Sequence, residues 1–196
     1  LGNLSFFMPV HNLTQNTYFM NIQPAVNAAV SGDIIECEEY TYNERVTIDK
    51  PLTIQGVNKT NCIVDGTGLG IGKGIQINSG ITNVSIKRLT VQYFKGSGGN
   101  ADAGVYAIGG NDNLYLESVK IQNDSGGSGF YANGPVNTVT LDSVTSSGHP
   151  NVAGATRGIV IWNGLKENIT ITNCEVFQNN CCGIELQDGQ ATGVTF

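Results

Sequence analysis

Two short motifs recur along the chain in step with each other, and this internal repeat constrains the fold more than any other feature. The first alternates apolar and polar residues and has copies that begin at Val84, Leu114, Val139, Ile169 and Val194. The second reads Gly-apolar-x-apolar and begins at Gly74, Gly104, Gly129, Gly158 and Gly183. A repeat of roughly 25 to 30 residues accommodates three short strands, as in one coil of a solenoid.

The alternating pattern has a period of two, so each strand sends one set of side chains inward. We name the strands PB1 (the Gly-apolar motif), PB2 (the first half of the alternating motif) and PB3 (its second half). Because stacked coils are about 4.8 Å apart, equivalent apolar residues should form inward columns. These columns are Ile75-Val105-Phe130-Ile159-Ile184 in PB1, Val84-Leu114-Val139-Ile169-Val194 in PB2 and Leu89-Val119-Val144-Cys174 in PB3. One coil cannot bury its own apolar face, so the stack forms the core.

The register also extends towards the N-terminus. It predicts PB1 at 46–48, PB2 at 52–54 and PB3 at 63–64, and it places 33–35 in a still earlier PB3 strand. Upstream, apolar residues at helical spacing predict a short helix that caps the open end of the solenoid: Ile22, Ala25, Val26 and Ala29. We therefore expect an N-terminal segment with a capping helix over residues 1–33 and a parallel β-helix over 34–196. The chain stops inside a PB2 strand, so we expect further chain or self-association to cover that end.

Composition limits the classes of partner that the chain is expected to bind. Ten Lys and Arg against sixteen Asp and Glu give a net charge of −6, which argues against binding to a nucleic-acid backbone. No apolar run approaches the ~20 residues of a membrane helix, so we expect no membrane insertion. The chain starts at Leu1 without Met, and we expect that a signal peptide has been removed and that the protein is secreted or at the cell surface. Five cysteines, an odd number, leave the redox compartment open.

Several segments resemble right-handed parallel β-helix proteins. They are NIQPAVNAAVSGDIIEC (21–37), YNERVTIDKPLTIQG (42–56), IVDG (63–66) and NITITNCEVFQNNCCGIEL (168–186). The similarity is to the pectate-lyase-like superfamily and to the related carbohydrate-binding and sugar-hydrolase β-helix repeats. The repeat and the predicted helix lead us to expect an all-β fold, a three-sheet solenoid of about five or six coils with a short N-terminal capping helix, and this similarity implies that the coiling is right-handed. It also implies an extracellular setting with a polysaccharide as partner.

The catalytic patterns of this group do not carry over to the chain. The PB1 motifs lack the aspartate cluster of a pectate lyase, and the Asn-Thr-Asp and Gly-His-Gly motifs of a polygalacturonase are absent. We therefore expect a module that binds or presents to polysaccharide, as a non-catalytic segment of a larger surface protein. The alternative is a polysaccharide lyase, glycoside hydrolase or epimerase with its site on the PB1 face and the long loops. We expect no cofactor; Ca²⁺ stays an open alternative without an evident ligand cluster.

Outward-facing residues of PB1 are the candidates for saccharide binding. Tyr106, Tyr131 and Trp162 lie on three successive PB1 strands, and Glu185 follows on the next. The coil spacing of about 4.8 Å is close to the repeat of a sugar chain, and aromatic faces with a polar handle suit stacking on sugars. The alternative is that these rings are covered by loops or pack against one another across the strands.

Few titratable residues lie near this face. Asp102 and Asp124 come from successive loops and are candidates for the carboxylate pair of a glycosidase. His149, in the longest loop, is a candidate general base, and Arg157 is a candidate partner for a uronate carboxylate. The alternative for each is a solvated loop residue.

Overall fold

The computed structural model describes residues 7–97, 103–150 and 156–196, which wind into a right-handed parallel β-helix of about five turns. The PB1 sheet contains Val46–Ile48, Ile75–Ile77, Ala103–Ala107, Ser128–Asn133, Ile159–Trp162 and Ile184–Gln187. The PB2 sheet contains Asp33–Cys37, Leu52–Gly56, Val84–Lys87, Asn111–Glu117, Val136–Asp142, Lys166–Thr172 and Ala191–Thr192. The PB3 sheet contains Tyr40–Tyr42, Cys62–Asp65, Thr90–Gln92, Lys120–Gln122, Thr145–Ser147 and Glu175–Phe177. Each sheet forms one side of the solenoid.

The predicted inward columns are confirmed in the inner coils, whereas Ile184 in the last PB1 strand is 37 % exposed. Val105 lies opposite Ile75 on one side and Phe130 on the other, and all three side chains are fully buried. The same register continues from Phe130 to Ile159 and from there to Ile184. The PB2 column likewise pairs Val84, Leu114, Val139 and Ile169 in order. Alternation alone therefore identified the core.

One assignment near the N-terminus is wrong. Asp33–Cys37 pairs with Leu52–Gly56 and so belongs to the PB2 sheet, whereas the sequence register placed 33–35 in PB3. The PB3 strand of this coil is Tyr40–Tyr42, which pairs with Cys62–Asp65. The error arises because the first coil is short: Leu52 follows its partner Asp33 much sooner in the chain than Val84 follows Leu52. Extrapolating the longer repeat therefore skipped one side of the solenoid.

Residues with a left-handed backbone turn the chain at the corners. Just before the PB2 alternation, Asn83, Asn113 and Asn168 have φ of 55°, 54° and 51°. Between PB2 and PB3 the same conformation recurs, at Arg88, Ser118, Ser143 and Asn173. Asn adopts this region more readily than most residues, which explains its repetition at the first of these corners. The amide of Asn113 also donates to Asn83 Oδ1 at 2.7 Å, so the corner side chains stack from coil to coil.

The corners of the solenoid differ in how much their connecting segments vary in length. From Val84 onward, matched PB2 and PB3 positions keep one constant spacing, which is the same from Leu114 to Lys120 as from Val139 to Thr145, whereas the connection from Leu52 to Ile63 is longer. The connection from PB3 to PB1 varies, because the segment from Thr90 to Val105 is half as long again as the one from Lys120 to Phe130. Variation in repeat length is thus concentrated beside the PB1 sheet.

The N-terminal cap contains more than the predicted helix. Helix α1 spans Ile22–Ala28, and it buries Ile22, Ala25 and Val26 against the solenoid. An antiparallel hairpin precedes it, in which Val10–Asn12 pairs with both Thr17–Phe19 and Asp33–Cys37. The hairpin covers the first edge of the PB2 sheet, which would otherwise present unpaired backbone groups.

Glu44 closes the N-terminus of α1, and its loss is expected to weaken the cap. Its carboxylate accepts hydrogen bonds from the backbone N–H groups of Ile22 (2.7 Å) and Gln23 (2.9 Å). We expect Glu44→Ala to lower the free energy of unfolding by about 1 kcal/mol, the usual effect of losing an N-terminal cap. Glu38→Ala, at an exposed position of the same coil, is the matched control. Urea unfolding followed by circular dichroism measures both; equal midpoints for the two variants would contradict the assignment.

Candidate functional site

An apolar cluster separate from the core lies on the outer face of the PB1 sheet. It contains Ala103, Tyr106, Tyr131 and Val160, with Trp162 packed at its edge. The rings of Tyr106 and Tyr131 stack with centroids 5.5 Å apart and planes 7° apart, and Trp162 meets Tyr131 edge-on at 6.4 Å. The structure therefore brings the three predicted aromatic residues together as a continuous ladder across three coils.

The three aromatic residues differ in their access to solvent. Tyr106 and Tyr131 expose only 6 % and 4 % of their surfaces, because their faces pack against each other and against neighbours. Lys73 places its ammonium group 5.0 Å from the centroid of the Tyr106 ring. Trp162 is only partly buried. The cross-strand packing that was the alternative for these tyrosines is thus present, and the aromatic with the most accessible surface is Trp162.

Polar groups hold Trp162 in place and surround it. Its indole Nε1 donates a short hydrogen bond to the Asp188 carboxylate, and the Arg157 guanidinium lies 5.5 Å from the ring centroid. Arg157 also forms an ion pair with Glu185. On the adjacent coil, Asn133 Oδ1 accepts a hydrogen bond of 2.8 Å from the amide of Asn163. This part of the PB1 face combines one accessible aromatic ring with amide, carboxylate and guanidinium groups.

The Tyr131 hydroxyl remains a neutral hydrogen-bonding group. Burial is the largest cause that raises the pKa of Tyr131 to about 12. The Tyr106 hydroxyl accepts a hydrogen bond of 3.3 Å from the Asn133 amide. At neutral pH the Tyr131 hydroxyl can therefore both donate and accept, as sugar hydroxyls require.

Asp124 and His149 lie inside the solenoid, at the corner between PB3 and PB1. Both are almost completely buried, with exposures of 2 % and 0 %. Asp124 Oδ1 accepts a hydrogen bond of 2.9 Å from the backbone N–H of Phe94, and His149 Nδ1 accepts one of 3.2 Å from the backbone N–H of Asp124. Each side chain thus satisfies a backbone donor of the preceding coil.

A repeat in the sequence marks this internal corner. The inward residues Phe94, Asp124, His149 and Asn179 follow one another at the same intervals as the members of the PB2 column from Val84 to Ile169. We name this set the corner column. Two of its members are titratable and lie in loops rich in glycine, a sequence context that predicts a solvated or catalytic side chain. Their shared spacing with Phe94 was the signal that could have placed them inside.

The glycine that opens each PB1 motif makes room for the corner column. A Cβ atom at Gly74 would meet the Phe94 ring at 2.8 Å, and one at Gly104 would meet Asp124 Oδ2 at 2.4 Å. A Cβ at Gly129 would lie 2.6 Å from His149 Nε2. At Gly74, Gly104 and Gly129 the recurrent glycine is therefore required by close packing.

Ser146 completes a buried hydrogen-bond chain that the sequence did not reveal. It occupies an inward PB3 position in register with Ile121 and Val176, so its hydroxyl is fully buried. Ser146 Oγ lies 3.1 Å from His149 Nε2 and donates a hydrogen bond of 2.8 Å to the Gly158 carbonyl. Since Nδ1 of His149 is already an acceptor, the neutral ring carries its proton on Nε2 and donates to Ser146. In this arrangement the histidine does not act as a base towards the serine.

Burial disfavours charge on both titratable members of the corner column. It lowers the pKa of His149 to about 4 and raises the pKa of Asp124 well above its ordinary value. Asp124 Oδ2 lies 3.8 Å from His149 Nδ1 and has no hydrogen-bond partner among the described residues. The catalytic roles suggested for Asp124, His149 and Arg157 stay predictions. Those of the first two require access that this packing does not provide, and Asp102 lies outside the described residues.

The acidic first coil uses its carboxylates locally. Glu44 caps α1, Glu36 accepts from the Gln55 amide at 2.9 Å, and Glu39 accepts from the amides of Asn58 and Asn61. Within 7–97, 103–150 and 156–196, no group of three or more His, Cys, Asp or Glu side chains is arranged to hold a metal ion.

Comparison with known proteins finds similarity in structure only. No protein-family model and no curated protein matches the sequence. The structure is similar to a pectin methylesterase from Yersinia enterocolitica, with 12 % identity, a TM-score of 0.45 and coverage of 87 % of this chain and 66 % of that one. It is also similar to a pectin methylesterase mutant in complex with a hexasaccharide, with 15 % identity, a TM-score of 0.47 and coverage of 82 % and 68 %.

The chain therefore spans just under two thirds of the Yersinia protein. No helix among the described residues is long and apolar enough to cross a membrane. Three parallel sheets, inward apolar columns and an N-terminal helical cap agree with the architecture that the repeat and the helical spacing predict. The chain has the fold of a right-handed parallel β-helix with three sheets.

Proposed function

We propose that this β-helix binds an extended polysaccharide on its PB1 face, with Trp162 at the centre of the site. The observation that carries the proposal is the placement of Trp162. Its ring is partly exposed at the end of the aromatic ladder and is held by Asp188 and Arg157. An indole that is fixed in orientation loses little conformational freedom when it stacks on a sugar ring.

Neighbouring coils would contact neighbouring sugars. Strands of the PB1 sheet succeed one another about every 4.8 Å, so a sugar chain that runs parallel to the solenoid axis meets a new coil roughly at each residue. The amides of Asn133 and Asn163 and the carboxylate of Glu185 supply donors and acceptors on three such coils. Arg157 places a cation beside the same ring and suits a sugar that carries a carboxylate.

We further propose that the protein is non-catalytic, acts outside the cell and forms part of a larger surface protein. Support comes from the sequence, which resembles the pectate-lyase-like superfamily and the carbohydrate-binding and sugar-hydrolase β-helix repeats but lacks the catalytic motifs of a pectate lyase or polygalacturonase. The burial of Asp124 and His149 also supports a structural use of these two residues. Polysaccharide cleavage is the competing function.

Substitution of Trp162 tests the proposed site. An array of uronate-containing and neutral oligosaccharides would identify the ligand, and titration calorimetry would then give its affinity. We expect Trp162→Ala to weaken binding about tenfold or more, as truncation of a central aromatic contact does. Tyr115→Ala is the matched control, because Tyr115 is a partly exposed aromatic on the PB2 face. We expect that variant to bind like the parent protein.

Two results would overturn the proposal. If the parent protein and Trp162→Ala bind the oligosaccharide with equal affinity, Trp162 does not contribute to binding and the proposed PB1 site is wrong. Release of unsaturated, ultraviolet-absorbing ends or of reducing sugar from any polysaccharide in the panel would assign an enzymatic function instead of simple binding.

A further inference from the structure

A groove of about 380 Å³ runs along the outer face of the PB3 sheet, on a different side of the solenoid from Trp162. Its floor follows one row of outward residues through successive coils: Ile63, Thr90, Lys120, Thr145 and Glu175. Five coils at about 4.8 Å per coil give a floor roughly 19 Å long. An elongated groove of this length suits an extended chain better than a compact small molecule.

One wall of the groove is a firmly held turn. Lys59 and Thr60 lie in the connection that precedes Cys62–Asp65 and line the groove. Asn58 Oδ1 accepts from the backbone N–H groups of Thr60 and Asn61, at 3.0 and 2.9 Å. The Thr90 hydroxyl donates to the Lys59 carbonyl at 2.7 Å and joins this wall to the floor. The wall is therefore organised before any ligand arrives, which lowers the entropic cost of binding.

A second row of side chains forms a hydrogen-bonded ladder. The Gln122 amide donates to Gln92 Oε1 at 2.8 Å, and the Gln92 amide donates to Asp65 Oδ2 at 2.8 Å. Asp65 thus orients both glutamines, and the ladder ends on the Gln122 amide, which lines the groove. Hydroxyl groups of a sugar chain would find ordered amide donors and acceptors there.

The charges in the groove favour an acidic ligand. Lys59 and Lys120 both line it, and neither ammonium group forms an ion pair with any residue in the described parts of the chain. Two lysines in one groove stand out in a protein with a net charge of −6. The one acidic side chain in the row, Glu175, comes two coils after Lys120. Beside Glu175, the ring of Phe177 is 47 % exposed and is available to stack on a sugar at that end.

We infer that the PB3 groove is a second glycan-binding site, which takes an extended acidic oligosaccharide whose carboxylate or sulfate groups pair with Lys59 and Lys120. Phe177 stacks on the ring at the far end, and the glutamine ladder binds hydroxyl groups between. This site does not depend on the PB1 site, because the two sheets face different directions and share no lining residue.

Charge-neutral variants test the groove. Titration calorimetry would use three hexasaccharides: a polygalacturonate, a heparin fragment and a cello-oligosaccharide, which carry carboxylates, sulfates and no charge, respectively. In the Lys59→Gln/Lys120→Gln double variant, we expect affinity for the acidic ligand to fall at least tenfold and its dependence on salt to weaken. Lys87→Gln is the matched control, since Lys87 is an outward lysine on the PB2 face. We expect it to bind within twofold of the parent protein.

The outcomes separate this site from the PB1 site. If binding of an acidic hexasaccharide survives Trp162→Ala but not the double lysine substitution, the result supports the groove. Whichever of the polygalacturonate and the heparin fragment binds more tightly shows whether the groove prefers carboxylates or sulfates. Binding that survives the double substitution overturns the inference, even where Trp162→Ala abolishes it. Equal affinity for the neutral hexasaccharide, or no binding of either acidic ligand, also overturns it. Thermal melts would confirm that each variant is folded.

Discussion

Replacing Gly129 by Ala is expected to lower the free energy of unfolding by about 3 kcal/mol, the upper part of the usual range for an overpacked core. The added methyl carbon would lie 2.0 Å from Ser146 Oγ, 2.6 Å from His149 Nε2 and 2.7 Å from the Gly158 carbonyl oxygen. The carbonyl oxygen belongs to the PB1 backbone of the next coil, so it cannot move aside without disturbing the strand pairing. The serine and histidine side chains are buried and hydrogen-bonded to each other.

The last copy of the same motif provides a matched control. A Cβ atom at Gly183 would meet only the Val176 side chain, at an ordinary contact distance of 3.6 Å. Neither glycine needs a left-handed backbone, so backbone strain does not separate the two positions. We expect Gly183→Ala to be neutral or slightly stabilising, since alanine reduces the freedom of the unfolded chain. Urea unfolding gives both values; similar losses at Gly129 and Gly183 would refute the packing role of the corner column.

Substitutions in the corner column are expected to change the pH dependence of stability in opposite directions. His149 has an ordinary pKa of 6.5 and a pKa of about 4 in the folded protein. As the pH falls from 6.5 to 4, the unfolded chain takes up a proton that the folded protein refuses, so His149 progressively destabilises the fold. The difference in pKa corresponds to about 3 kcal/mol at the acidic end.

Asp124 has the opposite sign. Its pKa is raised in the folded protein, so the folded state keeps a proton that the unfolded chain releases above its ordinary value of 3.8. Asp124 therefore destabilises the fold as the pH rises. In the parent protein the two contributions oppose each other between about pH 4 and pH 7. Substitution of one of the two residues should therefore reveal the pH dependence of stability that the other contributes.

We therefore expect Asp124→Asn to gain stability relative to the parent protein as the pH rises from about 4.5 to about 7.5. His149→Asn should gain relative stability as the pH falls over the same range. Asparagine retains an acceptor for the backbone N–H in both cases and is already present in this column as Asn179. Urea unfolding of the three proteins at several pH values gives the slopes. Parallel profiles would show that both groups are charged or solvated in the fold, contrary to the structure.

The repeat in the sequence predicted the core because burial in a solenoid depends on one simple rule. Alternation tells which residues point inward, and the regular spacing tells which of them stack, so the columns through Val105 and Leu114 followed directly. The rule failed at Asp33–Cys37 because the first coil is shorter than the repeat. The hairpin at Val10–Asn12 lies outside the repeat and follows no periodic pattern.

The candidate site was less predictable, because its residues depend on packing beyond the repeat. Sequence spacing did place Tyr106, Tyr131 and Trp162 on neighbouring coils. It could not show that the faces of the two tyrosine rings are buried by stacking against each other. The polar, glycine-rich sequence around Asp124 and His149 is typical of solvent-exposed loops. In the structure both side chains instead lie inside and accept hydrogen bonds from backbone N–H groups of the preceding coil. The sequence does not predict the PB3 groove, because glutamine and lysine at outward positions are typical of any solvated surface.

The uneven corners of this solenoid have a consequence for how such a protein changes through evolution. From Val84 onward, the other two corners vary by at most one residue, while the connection from PB3 to PB1 is much longer after Thr90 than after Lys120. Insertions and deletions that fall between a corner-column residue and the glycine of the next PB1 motif leave the stacking of the core untouched. New recognition surfaces can therefore be acquired, lost or grafted along one flank of the molecule, coil by coil, with little penalty to the scaffold that carries them.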